Sequence, residues 1–510
     1  MEDTIFNSLL TSFGLLLLCS VLRVAYFIWW RPKSLEQQLK QQGIKGTPYK
    51  LLYGDMKDYV SSLKEAWSKP MNLNHHIAPR ILPFFHDRVQ KYGKISLTWV
   101  ETTPRLIISD PELIKTILND KFGHFQKPVL NPLVHLLQLG VSTLEGEKWA
   151  KRRKLMAPAF HFEKLKGMVP QFSISCCNMI DRWKKLVSAQ GSCELDVSPE
   201  LLTLTGDVIA RTAFGITYEE GKRIFELQKE QAVLVIEASQ SIYIPGFRFI
   251  PTKKNKRRYN LDNEIKATIR EMIHRKKQAM SIGDSGGNDL LSLLLQFNNQ
   301  NDEEMTVEDV IEECKLFYFA GQETTSNWLT WTLIVLSLNP IWQDKAREEV
   351  LQICGKKTPD SEAINHLKIV NMILHEVLRL YPPVVNLFRH TSQRTKVGEM
   401  SIPAGVDVLF PTLLLHHDPE YWGDDVGEFN PERFSEGVSK ATKDQAVFYP
   451  FGWGPRFCLG QSFAMIEAKM ALAMILQNFW FELSPSYTHA PYTVITLQPQ
   501  HGAPIILHQL

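Results

Sequence analysis

Residues 451–460 read FGWGPRFCLG, a single cysteine among three glycines with an arginine two places before it. Gly452, Gly454 and Gly460 let the backbone pass close to a flat object, and backbone N–H groups beside Cys458 stabilise a thiolate. Arg456 sets a fixed cation where a carboxylate would be welcome. From Gln461 to Phe479 the chain reads as an apolar-faced helix whose N-terminus also favours an anion at Cys458. Such a thiolate is a nucleophile or a metal ligand, and no histidine base or second cysteine stands nearby to prefer the nucleophile. The remaining cysteines (19, 176, 177, 193, 314 and 354) show neither metal-ligand spacing nor a disulfide framework.

A second polar group interrupts an apolar run. Thr306 and Asp309 make a capping box, and from Val307 no breaker occurs before Asn339 and Pro340, about three times the usual helix length. The centre, KLFYFAGQETTSNWLTW, is apolar on most faces apart from AGQETT, so this helix must run buried through the core. Gly321 in mid-helix costs about 1 kcal/mol relative to Ala, and Thr324 can turn its hydroxyl onto the carbonyl of Ala320. Together they predict a loosened groove lined by the Thr324 hydroxyl and the Glu323 carboxylate, suited to a small polar molecule that needs a proton. A tolerated kink is the plain alternative. Leu316, Phe317 and Ala320 precede Thr324 on the same face. Glu376 and Arg379 pair at i,i+3, a common solvated pattern, unless Arg433 in FNPERF completes a buried network that acts as a clamp.

Positioning these groups takes a large body: 510 residues, 44% hydrophobic, with no linker long enough to separate modules after residue 50. Periodicity predicts a mainly α protein with small β-sheets (α+β) and no internal repeat. A hairpin is expected over 95–109, then a helix capped by Asp110 with Pro111 at its first position. Helix dominates from about 145 to 480, broken by a polar loop at 281–289 and by non-helical segments near 400 and 430. A net charge of +2 and dispersed Lys and Arg exclude a nucleic-acid footprint. Thr4 to Leu22 carry no charge and would span about 28 Å as a helix, followed by an aromatic belt to Trp30. The acidic Glu2 and Asp3 and the lack of a cleavage site favour a retained anchor over a signal peptide. Arg31, Lys33, Lys40 and Lys45 place the body on the cytosolic side, in a eukaryote that of the endoplasmic reticulum membrane. The expected organisation is an anchor at 1–31, a hinge at 32–50 ending in GIKGTP, and a catalytic body at 51–510.

Phe451, Gly454, Arg456, Cys458 and Gly460 match F-x-x-G-x-R-x-C-x-G, and in this they resemble the cysteine loop of the haem-thiolate monooxygenases, the cytochromes P-450. AGQETT resembles that superfamily's oxygen-binding helix motif, Glu376 and Arg379 its K-helix pair, PERF the segment that joins it, and Trp149 with Arg153 its C-helix pattern. The motifs fall in family order over about residues 50–505. The resemblance implies a cytochrome P-450 fold behind one transmembrane helix, with haem b, O2 and NADPH-derived electrons. It implies Cys458 as axial ligand of the haem iron, and Arg456, Trp149, Arg153 and Arg389 as holders of the propionates. Phe451, Gly454, Gly460, Ala320 and Gly321 would belong to the haem seat, and Thr324 would keep the distal proton network with Glu323 as relay. Glu323 stands where many members carry Asp, which lengthens the reach of the same carboxylate. No flavin or dinucleotide fingerprint precedes the motifs, so NADPH–cytochrome P-450 reductase is the expected electron donor. Lys148, Lys151, Arg152, Arg153 and Lys154 are its expected docking face, a solvated helix face being the alternative. The apolar and basic segment 242–258 is expected to dip into the lipid bilayer.

LFYFAGQETTS, YIPGF, PFGWGPR and the C-terminal run from Ser484 are similar to the plant family numbered 72, whose members include secologanin synthase and simple hydroxylases. This implies a small-molecule terpenoid substrate: an iridoid or secoiridoid glucoside such as loganin or loganic acid, a triterpenoid or a gibberellin. The reaction would be hydroxylation or oxidative ring cleavage. His135, Leu136, Leu316, Phe317, Val385, Asn386, Phe388 and Val494 are the candidate substrate-pocket residues. Two other classes stay open: a haem-dependent lyase or isomerase without a reductase, against which Thr324 and the compact cysteine loop argue, and a non-enzymatic haem-binding membrane protein, which would not need AGQETT.

Overall fold

The computed structural model describes residues 2–510 apart from 129–130, 138, 188–190, 283–288, 301–304 and 443–446. Most of the loop expected at 281–289 therefore lies outside the described residues. The long helix spans Val307–Leu338, and its capping box forms: the Thr306 hydroxyl accepts from Asp309 N–H, and the Asp309 carboxylate accepts from Thr306 N–H. Trp328 and Trp331 are wholly buried on it, each donating its indole N–H to a backbone carbonyl, of Leu374 and Leu497, at 3.1 Å. It packs against Val197–Ile209 so tightly that a Cβ on Gly321 would lie 2.6 Å from the Ile209 side chain. On the far side of the cysteine loop, Gln461–Asn478 packs against Phe162–Val187 and Pro340–Cys354.

Beside the helices lies a six-stranded sheet in the order Lys45–Gly46, Ile95–Val100, Thr103–Ile108, Asp407–Phe410, Leu387–Thr391, Phe125–Gln126. The expected hairpin pairs Ile95 with Ile108 and Val100 with Thr103. Asp110 then caps Pro111–Leu118 by accepting from Leu113 N–H at 3.0 Å. Antiparallel pairing of Leu387–Thr391 with Asp407–Phe410 sets Arg389 opposite Val408 and so fixes where its side chain projects.

Glu2 to Lys40 run as one helix with a π turn at Tyr26–Trp30, and Thr4–Lys40 is long and apolar enough to cross a membrane. Residues 31–40, expected within a hinge, form a helix docked on the body. Leu35 and Leu39 are buried, and Glu36 accepts from the Lys33 and Lys40 ammonium groups and from Tyr49 N–H. The Tyr49 hydroxyl in turn donates to the Ile28 carbonyl at 2.6 Å.

Glu376 and Arg379 on Lys368–Leu380 are both fully buried. All five N–H donors of Arg379 are used: two on the Glu376 carboxylate, three on the carbonyls of His416, Val426 and Glu428. Arg433 is the outer member, 3.6 Å from Glu376 and paired at 2.6 Å with Asp425. The clamp thus ties this helix to the 416–433 segment that leads into the cysteine loop. Glu376→Ala strands a buried guanidinium and is expected to destabilise the protein by about 3–5 kcal/mol. A urea titration of the purified full chain followed by tryptophan fluorescence checks this; an unchanged midpoint would mean that the pair carries no stability.

Candidate active site

Two of the loop's glycines adopt left-handed backbone, Gly452 at φ +78° and Gly454 at φ +71°. A Cβ on Gly454 would sit 2.2 Å from the Leu118 carbonyl, so only glycine lets the loop pass there. Cys458 N–H donates to the Phe451 carbonyl at 2.8 Å and closes the loop. Between loop and long helix lies a cavity of about 400 Å³, with Phe451, Cys458 and Gly460 on one wall and Ala320, Gly321 and Thr324 on the other. Cys458 counts as exposed by surface area because it borders this cavity. Burial pushes its thiol pKa up, opposed by the Gly460 N–H and by Arg153. The Thr324 hydroxyl donates to the Ala320 carbonyl at 2.7 Å. The helix is nevertheless continuous through Gly321, so no loosened groove forms; the glycine serves the contact with Ile209.

One end of the cavity is cationic. Arg456 lies over the Trp149 ring at 4.4 Å, and Arg153, one turn beyond Trp149, donates to the Phe457 carbonyl at 2.8 Å. Arg389 and Lys127 complete the group. Glu145 pairs with Arg456 and accepts from Lys127 N–H, but no carboxylate lines the cavity among the described residues. Burial, together with neighbouring cations, pushes Arg389 down to about 10 and Lys127 down to about 7. Lys127 and Glu145 carry no local signal in the sequence; strand and helix pairing brings them to the site.

Leu316 and Phe317 line the cavity, Phe317 stacked on Phe160 at 5.7 Å, whereas His135, Leu136, Val385, Asn386, Phe388 and Val494 do not. Phe388 is turned away by strand alternation: its neighbours Leu387 and Arg389 face the cavity while its own ring meets Arg105 at 5.1 Å. The Glu323 carboxyl also stands off the cavity, accepting from the Thr496 hydroxyl at 2.9 Å and from the Asn327 amide at 3.2 Å. Burial raises its pKa. In the basic run of Gly146–Met156, Arg152 is buried, bonded to Glu313 at 2.9 Å, and cannot join a docking face.

Among the described residues no group of three or more metal-ligating side chains assembles, so a metal here must bring most of its own ligands. One cysteine on the cavity wall, with four basic side chains at one end and no carboxylate among the described lining residues, fits haem: a planar metal complex with two carboxylates.

Residues 69–501 match the family model described as Cytochrome P450. Cytochrome P450 CYP72A219 of Panax ginseng is 54% identical, covering 96% of each chain. 7-Deoxyloganic acid hydroxylase of Catharanthus roseus is 51% identical over 96% of each chain. Secologanin synthase 1 of the same plant is 47% identical over 100% of this chain and 99% of that one. A solved structure, retinoic acid bound cyanobacterial CYP120A1, shares the fold with a TM-score of 0.76 at 23% identity, covering 92% of this chain and 99% of that one.

A lysine depressed to about 7 takes up a proton when a dianionic ligand settles beside it. Haem affinity of the ligand-free protein is therefore expected to fall as pH rises above about 7, by up to tenfold per pH unit for one proton. Optical titration with haem across that range reads the slope, and Lys127→Met should flatten it. An equal slope in both proteins would remove Lys127 from the site's charge balance.

Proposed function

The chain belongs to the cytochrome P450 family, in its family-72 branch, and is a monooxygenase; from this we propose that it oxidises a terpenoid, foremost an iridoid or secoiridoid glucoside or acid. The observation that carries the substrate class is the full-length similarity to relatives named for 7-deoxyloganic acid hydroxylation and secologanin synthesis. Triterpenoids and gibberellins are the further substrates within the same reading.

Haem bound through a thiolate supplies O2 activation: with two electrons and two protons, one oxygen atom enters a substrate C–H bond as hydroxyl and the other leaves as water. In this reading the Cys458 sulfur holds the iron. Arg456, Trp149, Arg153 and Arg389, joined by Lys127, hold the propionates. Phe451, Gly454, Gly460, Ala320 and Gly321 shape the seat. The Thr324 hydroxyl, already turned to the Ala320 carbonyl, holds water and passes protons above it. Glu323, held by Thr496 and Asn327, would be a proton store behind the cavity rather than a wall of it. Leu316 and Phe317 exclude bulk water and pack against the apolar part of the substrate.

Electrons come from NADPH–cytochrome P-450 reductase, docking by charge on the solvent side of Gly146–Met156 with Lys148, Lys151 and Lys154, without Arg152. The N-terminal helix holds the body at the cytosolic face of the endoplasmic reticulum membrane. Ile244, Phe249 and Ile250, all more than half exposed, make a second contact with the bilayer.

The test is NADPH-dependent turnover in microsomes that co-express a plant reductase, offered 7-deoxyloganic acid, loganin, loganic acid, a triterpene acid and a gibberellin. An iridoid gives an oxidised product; Cys458→Ala gives none and loses the thiolate-type carbon monoxide spectrum. Thr324→Ala keeps the spectrum and loses roughly a hundredfold or more of product. No product from any iridoid would overturn the substrate class, and product without NADPH would place the chain among the lyases and isomerases.

A further inference from the structure

We propose that Glu313 and Lys315, buried residues of opposite charge on the long helix, are positioning residues that tie Val141 and Leu136 beside the cavity and so set substrate fit. Residues two apart on a helix point about 200° apart, so the pair reaches opposite flanks. The segment is fastened on both.

Lys315 is 0% exposed. Its ammonium donates to Asp262 at 2.6 Å, to the Leu136 carbonyl at 3.1 Å and to Glu312 at 3.4 Å. Lys266 meets the same two carboxylates at 3.0 Å and 2.9 Å, so two cations balance two anions. An ammonium has three N–H donors and no acceptor. The third donor of Lys315 is met by a backbone carbonyl of the segment, and lifting the segment would leave it buried and unpaired. On the other flank, Glu313 accepts from Val141 N–H at 3.1 Å and from Arg152 at 2.9 Å. Gly140 is left-handed at φ +76°, and a Cβ there would come within 2.6 Å of the Glu313 carboxylate. The chain passes that close only as glycine.

Between these ties the segment touches what shapes the cavity. Val141 and Ser142 line it, as do Leu316 and Phe317 next to Lys315. Leu137 packs on Ala232 and Val235 of Tyr218–Ser239, with Val134, Phe319 and Ile495 around them. Slack at either tie moves a cavity wall and leaves the Cys458 loop alone. The consequence for substrate rests on the proposed function; the ties themselves do not.

Hydrogen exchange read by mass spectrometry on the full-length, haem-loaded enzyme tests the ties directly. In Lys315→Met, exchange in 131–142 is expected to speed up about tenfold, the worth of one buried hydrogen bond, with 461–478 unchanged. The thiolate-type carbon monoxide spectrum stays, while the Kd for 4-phenylimidazole, a probe that fills the distal cavity, rises by a similar factor. In the wild type, needing no substitution, the Val141 amide exchanges at least tenfold more slowly than an unstructured amide. Unchanged exchange of 131–142 in Lys315→Met, faster exchange spread evenly over the chain, or an unprotected Val141 amide would each overturn the proposal. A selective rise in exchange without terpenoid turnover would uphold the ties and count against the substrate reading alone.

Discussion

Beyond its solvent-facing first turn, the long helix runs mostly buried from Val310 to Leu336 and has to satisfy the polar groups it carries there from inside the protein. The hydroxyls of Thr324, Thr330, Thr332 and Ser337 each donate to the carbonyl four residues back, at 2.7 to 2.8 Å. Gln322 donates to the Leu202 carbonyl and Asn327 to Glu323 and Thr496. Thr324 uses the same bond as its neighbours. What separates it is its wall, since it lines the cavity whereas Thr330 and Thr332 are wholly buried. The cavity-lining hydroxyl is thus one instance of a repeated solution for keeping a polar helix in an apolar core.

Charge follows the same constraint at the cavity's other wall. Four basic side chains, Arg153, Arg389, Arg456 and Lys127, line that end; burial shifts each of them downward, and neighbouring cations add to it at Lys127, Arg389 and Arg456. A bound dianion would offset that cost by pairing with them. The clamp of Arg379 is the contrast: its five donors are met internally, and it needs no ligand.

What was legible in the sequence was local. The cysteine loop could be read because its glycines and arginine sit within ten residues of one another, and the long helix because its cap and its apolar centre are contiguous. Arg152 and Arg153 stand side by side in a basic run, and nothing local says which of them pairs in the core; Glu313, 161 residues away in the chain, decides it. Lys127 and Glu145 are ordinary surface residue types until strand pairing and helix packing bring them beside Arg389 and Arg456. Phe388 lies off the cavity because a strand has two faces, and Leu387 and Arg389 take the one that lines it. The helix at 31–40 is a similar case: Gln38 meets Arg394, Glu36 accepts from Tyr49 N–H, and just beyond it Gln42 donates to the Ser401 carbonyl, partners that composition does not display.

The same division separates oxidation from selectivity. The groups around Cys458 and Thr324 are fixed by short-range geometry: a closed loop, left-handed glycines, an i to i−4 hydroxyl bond. Relatives about half identical over nearly their whole length carry names that point to different reactions, 7-deoxyloganic acid hydroxylation and secologanin synthesis. The surroundings of the cavity are held by contacts between residues far apart in sequence: Leu136 with Lys315, Val141 with Glu313, Ile495 with Leu137. Each is a single tie across an interface, and a substitution at either partner changes the shape of the space without touching the chemistry. A fold built this way can exchange substrates by altering a few long-range bonds while its reactive geometry stays where the local sequence put it.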